Sequence, residues 1–435
     1  MGLGRCTLHA VRPSLPSLLV LLSGLAAFAT QFSGGSATAG EVSTRYTDET
    51  PDSMLDRAVE RATRKGATDV EALAAIAEIG ALADRVTRSR TPEALAAIAN
   101  ATSLKRDVRA EAILAIGRLA TPLEPTEGVL NRLAVIGPFR DTGGGLDAKE
   151  GPEAAAFGDP NASYAWGTVD VRWKSVPPNA ARKALPLDLF ISPRKESCSI
   201  VATTITLEND QPIDVRLAAS GQARLMFDST LLGKSDAVNA KGWFDRLGAR
   251  VKAAKGVHTV YAKVCTGALE DEGRVRLRIT DKNGEPIDVH PSQKLQSTLA
   301  TEKVAVERID LPSARSLISS GSNDALLSAA ILRTLGGLDD LRSPRAPGML
   351  DELVQKRGVT GDRLAMCGWV SPSGANRSGW LDKARQQAIA AGDSKTLAFA
   401  ERRLIAERLA LRLADWAMAE ANAAHLEQKI GRAHV

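Results

Sequence analysis

Apolar and polar positions divide the chain into three stretches with different periods. Between 45 and 120 the apolar residues recur at helical spacing. Val70, Leu73, Ala77 and Gly80 fall on one face; Val108, Ala112, Ala115, Ile116 and Leu119 fall on another. Thr91-Pro92 reads as a helix start, a cap followed by proline at the first position. "EALAAIA" occurs at 71–77 and again at 93–99, and an Ile-Gly pair recurs at 79–80 and 116–117. True repeats and a merely Ala-rich composition both account for this. "TPLEPTEG" (121–128) is a linker. From 131 to about 288 the period falls to two, in "SCSIVATTITL", "IDVRLAAS", "ARLMFD", "VHTVYAKVC" and "RVRLRIT". Turns such as "ENDQP", "AAKG" and "DKNGEP" separate these runs. The pattern predicts an antiparallel β-sandwich over 128–289, with "RLAVI" as an early strand and "RVRLRIT" as the last. From about 300 to 429 helical spacing returns, with short Gly and Asp turns between helices.

The entry to the sheet region raises a question of chemistry. "NRLAVIGPFR" (131–140) runs into "DTGGGLDAKEGPE", a strand followed by a glycine-rich segment. A phosphate loop needs such a turn, usually with a Lys, and then a helix whose amides face the anion. Here the Lys-Ser/Thr pair is missing, and the segment is acidic and leads into strands. Gly137-Pro138 is instead expected to bend the chain off its first strand, with Phe139 packing back onto the core.

At 435 residues the chain suggests two to three domains. Aromatics make up only 4%, which favours close-packed helices over a large aromatic pocket. The net charge of +5 arises from 56 basic and 51 acidic residues mixed along the chain, a solvated surface and not a nucleic-acid footprint. At the N-terminus Arg5 and Arg12 precede the apolar run "LPSLLVLLSGLAAFA", and small residues follow. This order predicts a signal peptide over 1–39, cut after Ala39, and a periplasmic or extracellular mature protein without a membrane span. The alternative is a retained anchor, for which the run is short.

Cysteine use fits an oxidising compartment. Past the signal, Cys198, Cys265 and Cys367 remain. Cys198 and Cys265 sit on separate predicted strands, 67 positions apart, and are a candidate disulfide. Cys367 and His425 are the only pair to suggest a cysteine dyad, and no Asp follows His425 to orient it. Tyr164, Trp166, Trp173 and Trp243 are candidates for stacking on sugar rings, or for simple packing. Asp281 and Asn283 mimic a fragment of a calcium loop but read better as a hairpin turn. His258 reads as structural, and the histidines are too sparse for a zinc cluster. No metal or cofactor is expected.

The order of elements also resembles a known family. "NRLAVIGPFRDTGGGLDAKEGPE", "VRWKSVP" (171–177), "ASGQARLMFDSTLLGKSD" (219–236), "VKAAKGVHTVYAKV" (251–264) and "RLRITDKNGEP" (276–286) follow one another as in a β-sandwich module. That module belongs to large secreted bacterial tetratricopeptide proteins, frequent in myxobacteria. Arg140 and the turn in "MFDSTLL" depart from the family pattern. "DVRAEAILAIGRLA" is similar to a HEAT-type helix, and the C-terminal helix pairs are similar to tetratricopeptide repeats. The resemblance implies an α+β multidomain chain: N-terminal helical repeats (45–120), a central jelly-roll or lectin-like sandwich, and tetratricopeptide-like helices (300–429). It implies an exported, non-catalytic interaction or scaffold protein that binds protein or cell-surface glycan partners. Two alternatives stay open: the non-catalytic part of a larger transglutaminase-like enzyme, and a carbohydrate-binding module. The closing "IGRAHV" (430–435) resembles a translated sequencing adapter. Leu409, Leu413, Trp416, Ala417 and Ala424 share a stripe that expects a further helix, so the natural chain is expected to continue.

Overall fold

The computed structural model describes residues 51–119, 127–141, 144–320, 322–407 and 409. The signal segment, most of the linker, His425, the stripe beyond Leu409 and the tail lie outside the described residues. Four helices open the described chain: α1 (Pro51–Thr63), α2 (Asp69–Leu82), α3 (Arg90–Ala99) and α4 (Arg106–Leu119). α2 starts on a reciprocal cap. The Thr68 hydroxyl accepts from the Glu71 amide, and the Glu71 carboxylate accepts from the Thr68 amide at 2.8 Å. α3 begins at Arg90, one residue before the Thr91-Pro92 start, and Thr91 is buried in its first turn.

Fourteen strands follow among the described residues. They are β1 (Ala134–Arg140), β2 (Tyr164–Trp166), β3 (Val169–Val171), β4 (Lys174–Ser175), β5 (Leu185–Pro186), β6 (Ser197–Leu207) and β7 (Gln211–Ala219). β8 (Gly221–Phe227), β9 (Thr230–Asn239), β10 (Leu247–Ala253), β11 (Gly256–Cys265), β12 (Arg274–Thr280), β13 (His290–Ser292) and β14 (Val306–Arg308) complete the set. One sheet runs β4-β1-β6-β11-β8-β9, with β13 also on β6. A second runs β14-β10-β7-β12-β5, and β2-β3 form a hairpin. Every pairing is antiparallel.

Alternation places one apolar face of each large sheet in a shared core. Val201 and Ile205 of β6 and Val260 and Val264 of β11 share it with Val215 and Leu217 of β7 and Val275, Leu277 and Ile279 of β12. The sheets extend beyond the boundary at 289, and β12 is not the last strand. β13 and β14 have three residues each, too few to show alternation, and Pro291 interrupts the donor pattern of β13.

The chain returns to helix in α5 (Ala314–Ser320), α6 (Asn323–Thr334), α7 (Ala346–Gln355), α8 (Gly361–Val370), α9 (Gly374–Ala391) and 394–407 (α10). Ser322 caps α6 by accepting from the Ala325 amide, and Gly392, with φ of 67°, ends α9 in the left-handed conformation. The sequence separates the helices at 45–120 from those at 300–429, yet a single core joins them, from Leu55 and Ile76 to Leu332, Leu381 and Ala400. α2 explains how. It is apolar on more than the one face read from its spacing: ten of its fourteen residues are buried, Ala72, Ala75 and Ile76 among them. A helix apolar all round is covered all round, here by α1, α4 and α6. No described helix is long and apolar enough to cross a membrane.

Candidate functional site

The glycine-rich segment after β1 is a cover for the outer face of the seven-stranded sheet. Phe139 is buried beside Ile136, Leu146, Phe157 and Ile200. Gly151, with φ of 57°, lies against its ring: a Cβ there would meet Phe139 Cε1 and Cζ at 2.4 Å. Glu153 then reaches Lys263 on β11 at 3.0 Å and pairs with Arg224 on β8. Lys263 is 1% exposed, so this carboxylate is what lets an ammonium sit inside the sheet face. Gly137-Pro138 lies within β1, where the pairing with β6 shifts register between Ile136 and Phe139.

Three of the four singled-out aromatics gather on that cover. Tyr164, Trp166 and Trp173 are half-buried against the cluster around Phe157. The Tyr164 hydroxyl donates to the Ala156 carbonyl at 2.6 Å, and Trp173 Nε1 donates to the Phe157 carbonyl at 2.7 Å. Their polar handles are thus committed to the backbone. Trp243 lies elsewhere, against the helical core, with Lys241 Nζ 3.9 Å and the Arg118 guanidinium carbon 5.2 Å from its ring centroid.

Cys198 and Cys265 face each other across the β6–β11 register and form a disulfide with Cα atoms 4.0 Å apart. Asp141 approaches these sulfurs, but sulfur bound to sulfur offers no thiolate to a metal. Cys367 is fully buried on α8, and burial pushes its thiol up to about 12. Its proposed partner His425 lies outside the described residues. His258 donates from Nδ1 to Asp228 at 2.8 Å and from Nε2 to the Ala254 carbonyl at 2.7 Å. Both partners are acceptors, so the pair of bonds calls for the imidazolium. Asp281 holds a turn, accepting from the amides of Asn283 and Glu285.

Sequence reasoning missed a buried charge network. β12 alternates Val275, Leu277 and Ile279 with Arg274, Arg276 and Arg278, a pattern that reads as a solvated outer face. α4 instead covers it. Arg276 meets Glu111 at 2.7 Å and Asp245 at 2.8 Å, and Arg278 meets Asp245 at 2.7 Å. Arg216 on β7 reaches Asp107 of α4 at 3.1 Å, and Arg106 ties Glu285 at 2.8 Å. These pairs fasten the helices to the five-stranded sheet.

A cleft lies in the helical region. A hollow of about 400 Å³ opens between α1, α2, α6, α8 and α10. Leu327, Met366 and Phe399 supply its apolar surface; Arg57, Arg61, Arg363 and Lys395 supply cations, and Glu60, Glu78, Asp324 and Asp362 supply carboxylates. A second hollow of about 280 Å³ shares Arg61, Arg64, Asp324 and Leu327 and continues to Ile331. A third, of about 150 Å³, shares Phe399 and continues to Met54, Arg402 and Arg403. Glu78 is buried, and burial raises its carboxyl pKa against the pull of Arg61, its partner. Arg363 holds Asp324 at 2.7 Å, and Arg403 lies 5.0 Å from the Trp369 ring centroid. The three hollows adjoin through shared residues and are lined by apolar side chains and by charges of both signs. Their residues come from both ends of the chain, which no single-window reading brings together.

No family model matches the chain, and no curated protein matches it. Among solved structures, a beta-glucosidase from Kluyveromyces marxianus is similar over 38% of this chain at 13% identity and a TM-score of 0.23. The chain spans 18% of that enzyme's length, and a likeness this slight carries no argument about fold or activity.

Proposed function

We propose that the chain is an exported, non-catalytic interaction protein whose helical cleft receives a segment of a protein partner. The carrying observation is that helices from both ends line adjoining hollows with Leu327, Met366 and Phe399 and with charges of both signs. Helical arrays present such surfaces to extended ligands. In this reading the C-terminal helix pairs are tetratricopeptide-like, and the two sheets that share a core are a jelly-roll or lectin-like sandwich. The chain then belongs with secreted bacterial proteins that carry the "IGPF" module; the burial of Phe139 after Gly137-Pro138 supports that placement. Burial of Cys367 with a raised thiol pKa weighs against its use as a nucleophile.

Panning a displayed random-peptide library on the mature protein tests the cleft. Enriched peptides should lose binding to Arg363→Glu and Lys395→Glu variants. Absence of any enriched sequence, or binding indifferent to both variants, would count against the reading. Export is tested by N-terminal sequencing, with Gly40 as the expected first residue.

A glycan partner is the second reading, favoured by the convergence of Tyr164, Trp166 and Trp173 on one sheet face. Binding on a glycan array that disappears in Trp166→Ala, while peptide binding persists, would select it.

A further inference from the structure

A separate cavity of about 340 Å³ lies at the seam between the helices and the five-stranded sheet. Its walls include Gly80 and Asp84, Arg118 at the end of α4, Ala184, Trp243 and Arg274 on β12. It shares no lining residue with the helical cleft. Its size suits a small molecule.

Two charges of this cavity, Arg118 and Arg274, lack the carboxylate partners found across the rest of the seam. Arg118 makes one long hydrogen bond, 3.4 Å to the Trp243 carbonyl. Among the described residues no carboxylate comes within the 4.0 Å of an ion pair to Arg118 or Arg274. Arg276, which donates to the same Trp243 carbonyl, meets two carboxylates, Glu111 and Asp245. Lys241 adds a second cation over the Trp243 ring. Burial, then repulsion by Arg276, pushes Arg118 down to about 10. Asp84 and Glu272 line the same walls without joining either guanidinium, and Lys183 donates to the Arg118 carbonyl at 3.2 Å. Ala184 holds φ at 143°, a conformation costly for any residue but glycine, and strain of this kind gathers at binding sites.

We propose that this cavity binds a small organic anion, its carboxylate or phosphate held by Arg118 and Arg274 and its apolar body packed beside Trp243. A guanidinium is a planar fork of donors matched to such oxyanions. A partly desolvated cation without a counter-charge is costly, and an entering anion relieves that cost. Trp243, grouped by sequence with the other aromatics, becomes the wall of a cationic pocket instead.

Titration of the full mature chain with benzoate and with inorganic phosphate tests this, with benzyl alcohol as the neutral control. Tryptophan emission and the thermal midpoint are the readouts. At least one anion should raise the midpoint and change emission saturably, while benzyl alcohol does neither. Benzoate alone acting assigns a carboxylate ligand, and phosphate alone a phosphate. The emission change should vanish in Trp243→Phe with the midpoint shift retained. Arg118→Met and Arg274→Met should each weaken binding by about tenfold or more, and Arg118→Lys should retain part of it. If Arg118→Met fails to fold, Arg274→Met decides. No saturable response to either anion, an equal response to benzyl alcohol, or a response that survives the arginine variants would overturn the proposal.

Discussion

Arg276 on β12 and Glu111 on α4 meet at 2.7 Å with neither side chain more than 6% exposed. Removing one partner of a buried pair leaves the other charge desolvated, at a typical cost of about 3–5 kcal/mol. Glu111→Leu should therefore destabilise by about that much in urea unfolding. A change of under about 1 kcal/mol would place the pair among contacts of surface strength.

The same network sets an acid limit. Burial alone would raise the Asp245 carboxyl, but Arg278, Arg276 and Arg216 overcome it and hold the group below its usual 3.8, at about 2. A depressed folded pKa contributes stability above 3.8 and loses it as pH falls toward 2. Unfolding followed down that range should show the decline, and Asp245→Asn, though less stable at neutral pH, should flatten it.

His258 works in the opposite sense. The hydrogen bond to Asp228, against a smaller effect of burial, raises its pKa above the usual 6.5. Its contribution is complete below 6.5 and fades as pH rises through the folded value. The thermal midpoint should fall on that alkaline side, and His258→Gln should lose the slope. An imidazole titration by NMR with a midpoint below 6.5 would contradict this.

The sequence made the inward faces of the strands readable and left their outer faces unread. Val275, Leu277 and Ile279 alternate as a half-buried strand should, and they are core. Arg276 and Arg278 then look solvent-bound, because nothing nearby in the chain announces a cover. Glu111 lies 165 residues earlier. Trp243 was grouped with Tyr164, Trp166 and Trp173 for a similar reason: aromatic type is visible in a sequence, but Gly80, Arg118 and Lys241 as its neighbours are not. At the glycine-rich entry the packing of Phe139 was legible, but the corner was not: Gly137-Pro138 lies inside β1, as a register shift against β6, and the strand runs on to Arg140. That Glu153 would answer Lys263 and Arg224 was not legible either.

Closing the 67-residue separation between Cys198 and Cys265 limits the unfolded chain, worth about 4 kcal/mol in the loop-entropy account. Cys198→Ala/Cys265→Ala should lose stability of that order, and wild-type protein under reductant should approach the double variant. A double variant as stable as the oxidised chain would show that the strands alone hold the register.

Cys367 should resist iodoacetamide at about pH 8 in the native protein and label once the chain unfolds, because burial keeps it a thiol. Peptide mass mapping reads this directly. Rapid native labelling would reopen a nucleophilic role.

The shared helical core has a consequence for biosynthesis. α2 packs on α6, yet the ribosome makes the whole sheet region between them. At ordinary elongation rates the gap is on the order of 10–50 s. Through that interval Ala72, Ala75, Ile76 and their neighbours wait for a covering surface that has not been synthesised. The strands can pair among themselves as soon as they emerge, because their partners are nearer in the chain. The helical half is therefore completed last, although its first helices are made first. Any factor that shields new chains from aggregation should find its main target in the stretch from Asp69 to Leu82.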